Sequence, residues 1–153
     1  MDINLKWNKQ NKDRLSKMLL FQPKIFMKSG ASCLFVKLNK NIGVKLYRRK
    51  ANRDFSHQTQ LKAEKIGIAP KTGEKFLIYS FAYNYYDEIR NVYYGFVTQA
   101  ADPPRKYKEQ EITEIIGKMK KMNLCVGDLH KANLGRIKEK LVCIDFDKVS
   151  CKK

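Results

Sequence analysis

Three oxygen-bearing side chains near the C-terminus, Asp128, Asn133 and Asp145, fall within eighteen residues. They lie in the run Val-Gly-Asp-Leu-His-Lys-Ala-Asn-Leu-Gly at 126–135 and, after a short link, in Leu-Val-Cys-Ile-Asp-Phe-Asp at 141–147. Phosphoryl transfer asks for such groups: one carboxylate to orient the attacking hydroxyl, an amide and a second carboxylate to hold divalent metal on the phosphates. Oxygen donors suit Mg²⁺, which takes one or two carboxylates beside substrate phosphates rather than a full protein cage. A surface turn followed by an edge strand is the plainer reading of either half taken alone.

The spacing narrows the choice. Asp128 and Asn133 are five apart, and Asp145-Phe146 ends an apolar run twelve residues beyond Asn133. The protein-kinase signature has a catalytic Asp, an Asn five residues on, and a strand leading to a metal-binding Asp. The stretch resembles the catalytic core of the protein-kinase-like superfamily, and its Gly-Asp-Leu-His and Asp-Phe-Asp look most like the aminoglycoside- and lipopolysaccharide-kinase branches. The resemblance implies an α+β fold: a five-stranded antiparallel N-lobe with one helix, plus a much reduced C-lobe. Residues 1–101 would form an N-terminal extension and the nucleotide-binding lobe, and 102–153 the C-lobe with catalytic loop and metal-binding Asp. It implies an ATP- and Mg²⁺-dependent phosphotransferase, a minimal serine/threonine protein kinase-like enzyme. Asp128 would be catalytic, and Asn133 and Asp145 would bind metal. His130, where protein kinases carry Lys, would help stabilise transferred charge or simply hydrogen-bond the loop.

The elements ahead of the motif must position it. Asn11–Leu20 predicts a short amphipathic helix. Strands are expected at Lys24–Met27, Cys33–Leu38 and Ile42–Tyr47, with Ser29, Gly30, Ala31 and Ser32 as a small-residue loop and Asn39-Lys40-Asn41 as a turn. Such a loop lets backbone N–H groups approach phosphates, although most such turns are only hairpins. On the third strand Lys45 stands where the resemblance calls for a phosphate-pairing lysine, with Lys37 as competitor. Arg48–Ile66 reads as a helix with Phe55, Leu61 and Ile66 on its apolar face and Gly67 as its stop. The family's partner for the strand lysine falls at Glu64 in one register and at Gln58 in another. An exposed helix carboxylate is an equal reading of Glu64.

Further strands are expected at Lys75–Phe81 and Val92–Ala101, around an aromatic excursion with Tyr83, Tyr85 and Tyr86 that packs the sheet or stacks bases. The resemblance makes Gln99 to Ala101 a hinge whose backbone, notably at Gln99 and Ala101, would bond the adenine edge, with Asp102-Pro103-Pro104 as linker. Glu109–Asn123 is the clearest helix, with Ile112, Ile115, Ile116, Met119 and Met122 at spacings of three and four, acids leading and lysines trailing.

The pattern also departs from regulated kinases. Val126 and Gly127 replace their His and Arg, which argues against activation-loop control. After Asp147 only Lys148 to Lys153 remain, with no activation segment and no platform for a peptide. A partner or second copy would complete the C-lobe, or the acceptor is a small or flexible hydroxyl substrate, protein or otherwise. A nucleotide- or partner-binding module without transfer is the alternative.

Composition bounds the partners. The 153 residues carry 32 Lys and Arg against 15 Asp and Glu, a net charge of +17. That field concentrates polyanions, ATP and nucleic acid included, so an RNA-associated kinase-like ATPase is a further reading. Excess lysine also solvates a surface without a partner. With 43% apolar residues the chain is expected to fold as one domain. No apolar run approaches a membrane span, the N-terminus shows no signal-peptide pattern, and Cys33, Cys125, Cys143 and Cys151 lack Cys-x-x-Cys spacing. Reduced thiols and a cytoplasmic location are expected.

Overall fold

The computed structural model describes residues 3–21, 33–83, 88–124 and 133–146. Its elements are α1 (Lys9–Phe21), β1 (Cys33–Lys37), β2 (Ile42–Tyr47), α2 (Lys50–Lys65), β3 (Thr72–Tyr83), β4 (Glu88–Gln99), α3 (Glu109–Lys121), β5 (Leu134–Ile137) and β6 (Lys140–Cys143). The fold is α+β. The strands form a four-stranded antiparallel sheet in the order β1-β2-β4-β3 and a separate β5-β6 pair. Among the described residues the large sheet has four strands where five were expected, and the strands described number six. The anticipated strand Lys24–Met27 lies outside the described residues. β5 was not anticipated, because Leu-Gly-Arg-Ile lacks β-branched alternation and reads as a link.

The chain divides into two compact units, Met1–Asp54 with Gly73–Gln99, and Phe55–Thr72 with Ala100–Lys153. The division falls inside α2, so residues 55–72 group with the C-terminal half.

In the first unit, strand alternation sends Val36, Val44, Leu46, Phe76, Ile78, Tyr93 and Val97 into one core with Leu15 and Leu19 of α1. Val36, Val44 and Val97 lie directly opposite one another across three strands, the pairing that stabilises a sheet face. Trp7 stacks on Phe76 with ring centroids 3.7 Å apart. Asn8 accepts the Asn11 N–H at 2.9 Å and so caps α1, which starts at Lys9 rather than Asn11. Asn39 closes the β1–β2 turn by accepting N–H groups from Asn41 and Ile42. Arg53, buried at the start of α2, donates to the carbonyls of Phe76 (3.0 Å) and Gly95 (3.2 Å).

The second unit packs Ala63, Ile68, Ile115, Met119, Leu134, Leu141, Cys143 and Phe146 together. α2 ends as expected at Gly67, whose φ of 79° a side chain would resist. The Ile68 N–H reaches the Ala63 carbonyl and the Gly67 N–H the Glu64 carbonyl, the paired bonds of a Schellman stop. The anticipated apolar face of α2 is corrected. Phe55 is 40% exposed, while Ser56, Thr59 and Gln60 are buried. Phe55 and Leu61 are six residues apart, about 240° around a helix of 3.6 residues per turn, so they never shared a face. The polar stripe finds partners: Thr59 donates to the Phe55 carbonyl one turn back at 2.8 Å, and Gln60 to that of Pro70 beyond the helix at 3.3 Å.

Candidate functional site

Within the first unit, Lys45 is central on β2, directly opposite Phe35 of β1 and Phe96 of β4. It is only 6% exposed, and its Nζ lies 5.7 Å from the centre of the Phe96 ring. Lys37, the competing lysine, is exposed at the end of β1. The sheet face that carries Lys45 also carries Gly43, and a Cβ on Gly43 would come 2.5 Å from the Phe35 ring. The missing side chain leaves the place where that ring lies. Gln99 ends β4 opposite Ile42 and is half-buried.

Within the second unit, the β5–β6 hairpin brings Asn133 and the Ile144-Asp145 segment together. The Ile144 N–H donates to the Asn133 carbonyl at 2.9 Å, just below the Leu134–Cys143 pair. Asp145 is exposed, whereas Phe146 beside it is fully buried in the core. The Cys143 thiol donates to the Asp145 carbonyl at 3.4 Å. A buried neighbour and these two contacts hold the backbone of Asp145 at the edge of the hairpin.

Ala101 belongs to the same cluster. A Cβ on Gly135 would stand 2.7 Å from the Ala101 Cβ, 3.1 Å from Ile144 Cγ2 and 3.2 Å from the Asp102 carbonyl oxygen. Next along, Asp102 and Arg136 exchange both backbone hydrogen bonds at 2.8 Å. The residue expected to border adenine and the two expected to hold metal therefore share one piece of framework. Sequence reasoning passed over Gly135 and Arg136. The available signal was a glycine inside a short run just after Asn133, since a strand glycine marks a close backbone approach.

The helix partner of the strand lysine stood between Glu64 and Gln58. Glu64 accepts the Thr72 N–H at 2.6 Å, a tie within its own unit, and Gln58 is exposed. Ser29, Gly30, Ala31 and Ser32 of the anticipated phosphate loop, the catalytic candidates Asp128 and His130, and Tyr85 and Tyr86 lie outside the described residues.

Among the described residues, no three His, Cys, Asp or Glu side chains gather as a closed metal cage. One amide and one carboxylate fit Mg²⁺ that keeps water and phosphate oxygens in its remaining positions. Cys33 is half-buried and Cys143 buried, and no helix among the described residues is long and apolar enough to cross a membrane. Comparisons with protein-family models, with curated proteins and with solved structures returned no match.

Proposed function

We propose that the chain is an ATP- and Mg²⁺-dependent phosphotransferase, a minimal serine/threonine kinase-like enzyme. The reading rests above all on the Ile144–Asn133 backbone hydrogen bond, which brings the main chain at Asn133 and the main chain leading into Asp145 together at one end of a hairpin. The side chains of Asn133 and Asp145 would hold Mg²⁺, which would supply positive charge to offset that of the phosphates during transfer. Lys45, held by its aromatic neighbours on the sheet, would pair with the phosphates. Asp128 would orient the acceptor hydroxyl, and His130 would stabilise transferred charge. The loop Ser29–Ser32 would cover the phosphates, and the backbone of Gln99 and Ala101 would border the base.

The direct test mixes the chain with labelled ATP and Mg²⁺. Label should appear on the chain itself or on an added hydroxyl substrate and vanish in Asp128→Ala. Label that persists in Asp128→Ala would overturn the assigned catalytic role. A nucleotide-dependent rise in melting temperature without label in either protein would favour a binding module instead.

The +17 charge and the exposed Lys9, Lys12, Arg14 and Lys17 on α1 favour a second reading, an RNA-associated ATPase of the same fold. Binding to random RNA should then weaken steeply between low and moderate salt as counterions are released. Salt-insensitive or absent binding removes it.

A further inference from the structure

Arg136 makes more hydrogen bonds than a strand residue needs. Its Nη1 donates to Glu111 Oε2 (2.8 Å) and to the Glu139 carbonyl (2.8 Å). Its Nη2 donates to Glu111 Oε1 (3.1 Å) and to the Lys106 carbonyl, and its Nε to the Pro104 carbonyl (3.4 Å). Glu111 has its own second task, accepting the Lys108 N–H at 3.0 Å at the start of α3. One guanidinium thus joins three separate pieces of backbone: the segment 102–106 that follows Ala101, the N-terminus of α3, and the turn of the β5–β6 hairpin.

We infer that Arg136 is a positioning residue of the metal site, a clamp that holds the hairpin bearing Asn133 and Asp145 against the segment that begins at Ala101. The inference rests on the phosphotransferase reading. The clamp touches neither metal nor nucleotide; it acts through the backbone. Arg136 stands three residues from Asn133 and opposite Leu141, and its main chain bonds Asp102 directly. Only a planar fork can grip both oxygens of Glu111 and still reach carbonyls on either side, so lysine is not an equivalent. Gly135 lets the two backbones close to this distance, and Arg136 keeps them there.

The residues behind metal ligands typically change metal affinity 10–100-fold when mutated. The full-length chain is therefore titrated with Mg²⁺ at fixed ATP analogue, and nucleotide binding is read by fluorescence, for wild type, Arg136→Lys, Glu111→Gln and Asp145→Asn. Arg136→Lys should raise the Mg²⁺ concentration at half-saturation roughly 10-fold, the lower end of that range. Glu111→Gln should raise it less, and nucleotide affinity without metal should stay at the wild-type value in both. A purely structural role would lower the melting temperature while leaving the half-saturation point of the folded protein unchanged. That result in both variants, with Asp145→Asn still abolishing the Mg²⁺ response, overturns the clamp alone. Wild-type nucleotide binding that ignores Mg²⁺ overturns the phosphotransferase reading and the clamp with it.

Discussion

The two units hold their candidate site residues by opposite means. In the first, Lys45 is buried on a sheet, set by cross-strand register and flanked by Phe35 and Phe96, and the core beside it is aliphatic and aromatic. In the second, Asp145 is exposed two residues past a four-residue strand, and a partly exposed ion pair ties its surroundings together. Apolar burial responds little to pH or salt, whereas a partly exposed ion pair responds to both. A buried lysine and an exposed carboxylate can thus be disturbed by different treatments, and that contrast is open to experiment.

The largest effect is expected in the first unit. Phe96 is fully buried, stacks toward Tyr47 with ring centroids 6.3 Å apart, and lies under Lys45. Phe96→Ala should cost roughly 3–5 kcal/mol through lost burial and the cavity left behind. Denaturant unfolding monitored by circular dichroism measures it, and a cost below about 1 kcal/mol would show that the sheet does not depend on this ring.

Arg53→Met probes the contrast from the other side, because Arg53 is a buried polar tie inside the apolar unit. Removing its donors from the Phe76 and Gly95 carbonyls should destabilise by about 1–3 kcal/mol, the cost of leaving buried polar groups without a partner. A neutral outcome would show that the thioether packs as well as the guanidinium bonds. The Arg53 hydrogen bonds would then add nothing to the burial that holds the first unit.

The legibility of the two units in the sequence differs for the same physical reason. Strong periodicity carried α3, whose Ile115 and Met119 are buried as expected, and alternation carried β2 and β4. Capping chemistry carried the stop of α2 at Gly67. What escaped depended on partners distant in sequence. The buried face of α2 is polar because Gln60 finds the Pro70 carbonyl and Arg53 finds two strand carbonyls, bonds invisible to a hydrophobic pattern. β5 escaped because its four residues are defined by pairing with β6 rather than by their own propensity. Asn133 and Asp145 were legible as a spaced pair, but Arg136 was not, since nothing local announces a guanidinium whose partners lie up to 32 residues away.

Gly135→Ala is expected to act on the second unit at an intermediate scale. The added methyl meets the Ala101 side chain and the Asp102 carbonyl oxygen. Overpacking of this kind costs typically about 1–3 kcal/mol. Thermal unfolding measures it, and Ala101→Gly in the same chain should recover part of the loss by removing the nearer obstacle. Failure of that rescue would place the strain on the backbone of Asp102 instead.

The smallest effect distinguishes the two modes most directly. Hydrogen bonds from the Arg136 side chain, aided by the Lys108 N–H, lower the pKa of Glu111 to about 2 from an ordinary value of 4.5. The folded protein therefore holds Glu111 ionised at pH values where the unfolded chain has already taken up a proton. The stabilisation is present in full above pH 4.5 and is lost as pH falls toward 2. Because the pair is open to solvent, its share is modest and should shrink further as salt is added. Between pH 4.5 and 2 the acid unfolding of Glu111→Gln should be flatter than that of wild type, and raising the ionic strength should bring the two profiles together. The carboxamide introduced by Glu111→Gln retains an acceptor for the Lys108 N–H, so this comparison isolates the charge from the helix cap. An equally steep profile in the variant would mean that other carboxylates govern acid sensitivity, and that the exposed hairpin is held by geometry rather than by charge.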